Sequence, residues 1–128
     1  MGHTTLTQFT STTDWIPLEE MTKVFDGEVI IPYNDYYPVW VEIILETPFD
    51  YNNIDNLVIA IDENTEGYTD SYGPAFYCTE AADNRSIQYY SDDDNPDPAV
   101  PPDADNLLAA FPDIRILCET AATLPVYF

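Results

Sequence analysis

Basic side chains are almost absent: Lys23, Arg85 and Arg115 stand against 24 carboxylates, for a formal net charge of −21. That scarcity excludes naked nucleic acid and anionic lipid surfaces as partners, because affinity for phosphates comes from clustered lysine and arginine. Glycine is scarce too, with four in 128 residues, and no phosphate loop, dinucleotide-binding turn or serine-nucleophile elbow occurs. The one histidine, His3, has no serine or cysteine partner near it in sequence, so nucleophilic catalysis has little to work with. A hydrogen-bonded or solvent-exposed strand residue is the simpler reading of His3. No apolar run approaches the length that spans a bilayer, so no membrane insertion is expected. Residues 1–20 show neither the basic start nor the continuous apolar stretch of a secretory leader.

What the chain does have is apolar and aromatic material. Hydrophobic residues make up 45%, with ten Tyr, six Phe and two Trp, enough for one packed core rather than a disordered chain. Eleven prolines argue against long helices, since each removes a backbone donor. Apolar residues recur at every second position. Val41, Ile43 and Leu45 share one face of the run 39–46, with Trp40, Glu42, Ile44 and Glu46 on the other. Leu57, Ile59 and Ile61 do the same in 56–62, where Val58 and Ala60 make the second face apolar as well, as in a central strand. Ile114, Ile116 and Cys118 alternate in 113–118, and shorter strands are expected over 23–25, 28–31, 75–78 and 86–90.

Turn chemistry separates these runs. Asp26 and Gly27 suit a tight hairpin, and 50–56 is rich in Asn and Asp, which tolerate left-handed backbone. The segment 91–105, with Pro96, Pro98, Pro101 and Pro102 among carboxylates, reads as a long surface loop. Only 18–22 and 106–110 suit a helical turn. The expected architecture is all-β: an antiparallel β-sandwich of jelly-roll type forming a single domain over 1–128.

Two cysteines, Cys78 and Cys118, enclose 39 residues. A disulfide between them would contribute roughly 4 kcal/mol through loop closure; buried free thiols are an equally good reading. Their spacing does not suit zinc.

The acidity invites divalent cations, a basic partner, or no ligand beyond the water that keeps the protein dispersed. Calcium takes six to eight oxygen ligands, and two loops offer them: Asp62, Glu63 and Asn64, then Asp93, Asn95 and Asp97. The second triplet opens like a calcium loop, but Pro98 stands at the turn-glycine position and Ala104 where a bidentate glutamate belongs. A solvated acidic loop is the simpler reading, and no cofactor is required. Aromatics form a second candidate site. Tyr33, Tyr36, Tyr37 and Trp40 sit in and beside a proline-bounded loop, and Tyr68, Tyr72 and Tyr77 flank another, suiting sugar stacking or the cover of a sheet face. A glycosidase would need two carboxyls across a cleft, and 24 candidates single out no pair. Asn84, Arg85 and Ser86 match a glycosylation sequon.

Taken in order, Gly2 to Thr5 with Phe9, Trp15 to Pro17, Met21 and Thr22, Val24 and Phe25 with Gly27, Trp40 to Ile43, Thr47 to Tyr51, Asn56 to Ala60, Asp62 to Thr65, Gly67 and Tyr68, Asn84 to Ile87, and Asn95 to Ala99 with Pro101 and Pro102 resemble a known pattern. It is that of a repeated β-rich module of large exported Bacteroidota proteins, found beside fibronectin type III domains and ahead of a C-terminal secretion-sorting region. The resemblance implies an extracellular or cell-surface setting, an adhesion-like or accessory role within a larger multidomain protein, and no catalytic residues. It also implies one or more strands preceding residue 1, and a tail over 119–128 like the lead-in to a sorting region. The expected function is a non-catalytic surface module that binds a glycan or a protein partner, with calcium a candidate ligand, or that acts as a spacer. A cytoplasmic acidic inhibitor that mimics nucleic acid and blocks a basic protein is the alternative from a different class.

Overall fold

The computed structural model describes residues 1–32, 38–65, 67 and 75–118. Among these, helix is confined to one 3-10 turn, Leu18–Glu20, within the first of the two segments expected to turn helically. The rest is irregular backbone and three small antiparallel two-stranded sheets. No sheet among the described residues exceeds two strands, and no closed sandwich or jelly roll is shown.

In the first sheet β1 (Gly2–Thr4) pairs with β2 (Asn56–Val58), setting Gly2 opposite Val58 and His3 opposite Leu57. On its other side Gly2 makes a bridge to Met21. A Cβ there would come within 2.6 Å of the Met21 sulfur and 2.9 Å of the Glu20 carbonyl oxygen. Only glycine lets the three segments approach so closely. Gly2→Val is therefore expected to destabilise the protein by about 2 kcal/mol through overpacking, readable as a lowered urea midpoint with unchanged slope. The Asn-rich turn that feeds β2 uses the chemistry expected of it. Asn53 has φ 57°, and the Asn52 side-chain oxygen accepts from the N–H groups of Ile54 (2.9 Å) and Asp55 (3.1 Å).

The other two sheets are parts of one long, interrupted hairpin. β3 (Cys78–Glu80) pairs with β6 (Ala110–Pro112), and β4 (Ser86–Gln88) with β5 (Asn106–Leu108). Between β3 and β4 the first leg bulges outward. The Ala81 and Arg85 N–H groups donate to the adjacent carbonyls of Ala109 and Leu108, both at 2.8 Å, leaving 82–84 outside the ladder. The expected helical turn at 106–110 is thus corrected. Leucine and alanine favour helix only weakly, and a facing leg with open hydrogen-bond groups overrides that preference.

The N-terminal segment lies across this hairpin. Phe9 N–H donates to the Asn84 carbonyl at 2.9 Å, and the Arg85 guanidinium donates to the Thr7 carbonyl. Ala104 N–H donates to the Thr12 carbonyl at 2.8 Å, and Trp15 Nε1 to the Pro102 carbonyl at 2.8 Å. The core sits here in miniature: Ala104, 7% exposed, is the buried hydrophobic residue of the described chain.

Elsewhere apolar side chains are half-buried or face outward. Ile59 and Ile61, expected to point inward, are 36% and 78% exposed, because β2 stops at Val58 and, among the described residues, has a partner along one edge only. The runs 39–46 and 113–118 form no assigned strand; of the second, Asp113 alone extends a ladder, donating to the Tyr77 carbonyl at 2.9 Å. Alternation is present in these runs without a neighbouring backbone in register, and a strand needs both.

Candidate functional site

The two acidic loops, separate in sequence, meet in space. Asn95 Nδ2 donates to Asn64 Oδ1 at 2.8 Å across 31 positions. Each loop is braced from within. Asn64 Nδ2 also donates to the Asp62 carboxylate at 3.1 Å, and Thr65 N–H to Glu63 Oε1 at 2.8 Å. The Thr65 hydroxyl, and secondarily its N–H, hold the Glu63 carboxyl below its usual pKa. In the second loop Ser91 Oγ accepts from the N–H groups of Asp93 (3.2 Å) and Asp94 (2.9 Å). The Tyr90 hydroxyl donates to Asp92, whose hydrogen bond and charge raise the phenol's pKa.

Between the loops lies an open depression of about 250 Å³, lined by Glu63, Asn64, Asp93 and Asn95 among others. Four of the six candidate cation ligands therefore share one place. Asp62 sits behind Asn64, outside the lining. Asp97 is committed to its own turn, its Oδ1 accepting from Ala99 N–H at 2.9 Å. Among the described residues, no three carboxylate, histidine or cysteine side chains converge as a preformed cation cage. The asparagine pair joining the loops was invisible in the sequence, since neither loop's composition specifies the distance to the other.

Of the aromatic candidates, Tyr33, Tyr36, Tyr37, Tyr68 and Tyr72 lie outside the described residues. Tyr77 lies within them, 66% exposed, as does Trp40, which is 62% exposed. The Arg115 guanidinium lies 4.7 Å from its ring centroid, a cation–π contact that ties 39–46 to 113–118. Arg115 was not singled out by its sequence context, and neither were Phe76 and Tyr90, which also present their rings to solvent.

His3 belongs to the scaffold, as its strand context suggests. Its ring stacks on Tyr51 at 5.8 Å and tilts against Phe49 at 4.9 Å, and Nε2 accepts from Asn52 N–H at 3.1 Å. Cys78 and Cys118 are free, exposed thiols, neither bonded nor buried. Cys78 faces Pro112 across the ladder, and the chain then runs on past the Trp40 contact before reaching Cys118. A disulfide needs Cα atoms within roughly 7 Å. The sequon asparagine is also engaged: Asn84 Nδ2 donates to the Phe9 carbonyl at 3.3 Å.

Against protein-family models, curated proteins and solved structures, the chain gives no match.

Proposed function

We propose that this protein is a non-catalytic binding or spacer module of an extracellular or cell-surface protein, a jelly-roll-like sandwich in its finer architecture. Trp40 carries the reading: a large aromatic face standing 62% exposed, with Arg115 against it and carboxylates on the same segment. A flat ring flanked by hydrogen-bonding groups suits a sugar ring, stacking on its apolar face and pairing with its hydroxyls. The joined acidic loops supply a second place for a ligand, with calcium the ion whose oxygen preference matches Glu63, Asn64, Asp93 and Asn95.

A glycan array probed with the protein and with Trp40→Ala tests this directly. Binding to at least one glycan class is expected, weakened at least tenfold by the substitution, with the circular dichroism spectrum unchanged. A blank array, together with no heat on titrating millimolar calcium into chelator-treated protein, would leave the spacer role alone. The net charge of −21 also supports a second reading, an acidic mimic of nucleic acid that blocks a basic protein. Salt-sensitive capture of nucleic-acid-binding proteins distinguishes it.

A further inference from the structure

A groove separate from both candidate sites lies between residues 28–30 and 41–44. Its volume is about 410 Å³, and Phe25, Val29, Ile30, Val41, Ile43 and Ile44 form its apolar walls. Ile30 and Ile44 are each 77% exposed, an unusual state for isoleucine at adjoining positions. Glu28 and Glu42 complete the lining. At one end the two segments are tied together where the Val24 carbonyl accepts from Glu46 N–H at 2.8 Å and Thr47 N–H at 3.1 Å. Beyond that tie, residues 28–31 and 41–44 make no backbone hydrogen bond among the described residues. Apolar side chains, backbone donors and acceptors with no partner among the described residues, and two carboxylates therefore line the same cleft.

We infer that this groove takes an extended segment of another protein by strand addition, one in which apolar residues alternate with lysine or arginine. Backbone hydrogen bonds to the open segments supply affinity, and the isoleucine walls select the apolar positions. Charge complementarity selects the basic ones, opposite Glu28 and Glu42. A second copy of this chain does not fit that description. It brings another 24 carboxylates, and its three cations are engaged: Lys23 with Asp26 at 2.7 Å, Arg85 with the Thr7 carbonyl, Arg115 with Trp40.

The test is fluorescence polarisation with a labelled peptide of alternating lysine and valine, beside the same peptide N-methylated on alternate residues. N-methylation keeps the charge and the apolar side chains but removes backbone donors. The unmodified peptide is expected to bind at least tenfold more tightly. The double variant Ile30→Glu, Ile44→Glu makes the protein more acidic, so simple ionic attraction would strengthen binding; strand addition requires at least a tenfold loss. Val100→Glu, at a site 76% exposed and outside the groove, adds charge without touching it and is expected to leave affinity within twofold. Equal binding of the two peptides, or undiminished binding by the double variant, would overturn the inference. So would sedimentation showing that the wild type dimerises at micromolar concentration and that the double variant does not.

Discussion

Replacing Trp15 by alanine is expected to lower stability by about 3 kcal/mol, the lower end of what large aromatic truncations cost in full cores. Trp15 is half-buried, and its indole N–H donates to the Pro102 carbonyl 87 positions away. The bond fastens the N-terminal segment to the proline-rich loop beside Ala104, the buried hydrophobic residue among those described. Truncation removes the ring's contacts and leaves that carbonyl without its indole donor. Trp15→Phe separates the two effects: it keeps most of the apolar area and loses the hydrogen bond, for about 1 kcal/mol. Urea denaturation reads both, and a change in midpoint at constant slope identifies a loss of native stability. If both variants unfold within a few tenths of a kcal/mol of wild type, the strap is not what holds the loop.

Stability at neutral pH should rise steeply with salt. A net charge of −21 on 128 residues gives self-repulsion that favours the expanded chain. Raising sodium chloride from low millimolar to about 0.5 M shortens the screening length severalfold. A gain of about 2 kcal/mol is expected, or a rise in Tm of roughly 5–10 °C. Acid acts through two opposed effects. Protonating unpartnered carboxylates relieves repulsion, so at low salt Tm is expected to climb as pH falls from 7 towards 4.5. Some carboxyls work the other way. Asp14 accepts from Thr10 N–H at 2.7 Å, the Thr10 hydroxyl at 2.9 Å and Ser11 N–H at 2.9 Å, which lowers its pKa from 3.8. Lys23 lowers that of Asp26, and Thr65 that of Glu63.

A carboxyl whose pKa is depressed by folding contributes fully above its unfolded value and loses that contribution as pH falls through the folded one. The gain from relieved repulsion is therefore expected to reverse once pH falls below the ordinary carboxylate range, about 4, as these three groups are driven to protonate. All three lie at the surface, with Asp14 partly covered, so the reversal is small beside the salt effect. Asp14→Asn, which keeps one acceptor and removes the charge, is expected to flatten the acid limb. Scanning calorimetry across pH and salt checks the whole pattern. A Tm indifferent to salt at pH 7 would mean that the carboxylates are already compensated within the fold.

Local chemistry was legible wherever a residue acts on its own neighbours. Asn53 takes the left-handed conformation that an Asn-rich turn invites, Leu18–Glu20 makes the expected helical turn, and the prolines of 91–105 stay out of the ladders. Partner choice was not legible. Asn106–Leu108 reads as helix in isolation and becomes a strand because Ser86–Gln88 lies beside it in register. The run 39–46 reads as the clearest strand of all, yet among the described residues its backbone is bonded only at its end, where Glu46 N–H donates to the Val24 carbonyl. Of the candidate site, the oxygen-rich composition of each acidic loop was visible. Their meeting through Asn64 and Asn95, and the exclusion of Asp97, were not.

Charge and side-chain alternation belong to the residues themselves, so the sequence alone determined that this protein is acidic, poor in helix and rich in short extended runs. Which runs pair, which isoleucines stay in water and which loops touch depend on distances between segments far apart in the chain. No single segment encodes those distances; they follow from the balance of hydrogen bonds and apolar contacts that the folded chain reaches as a whole.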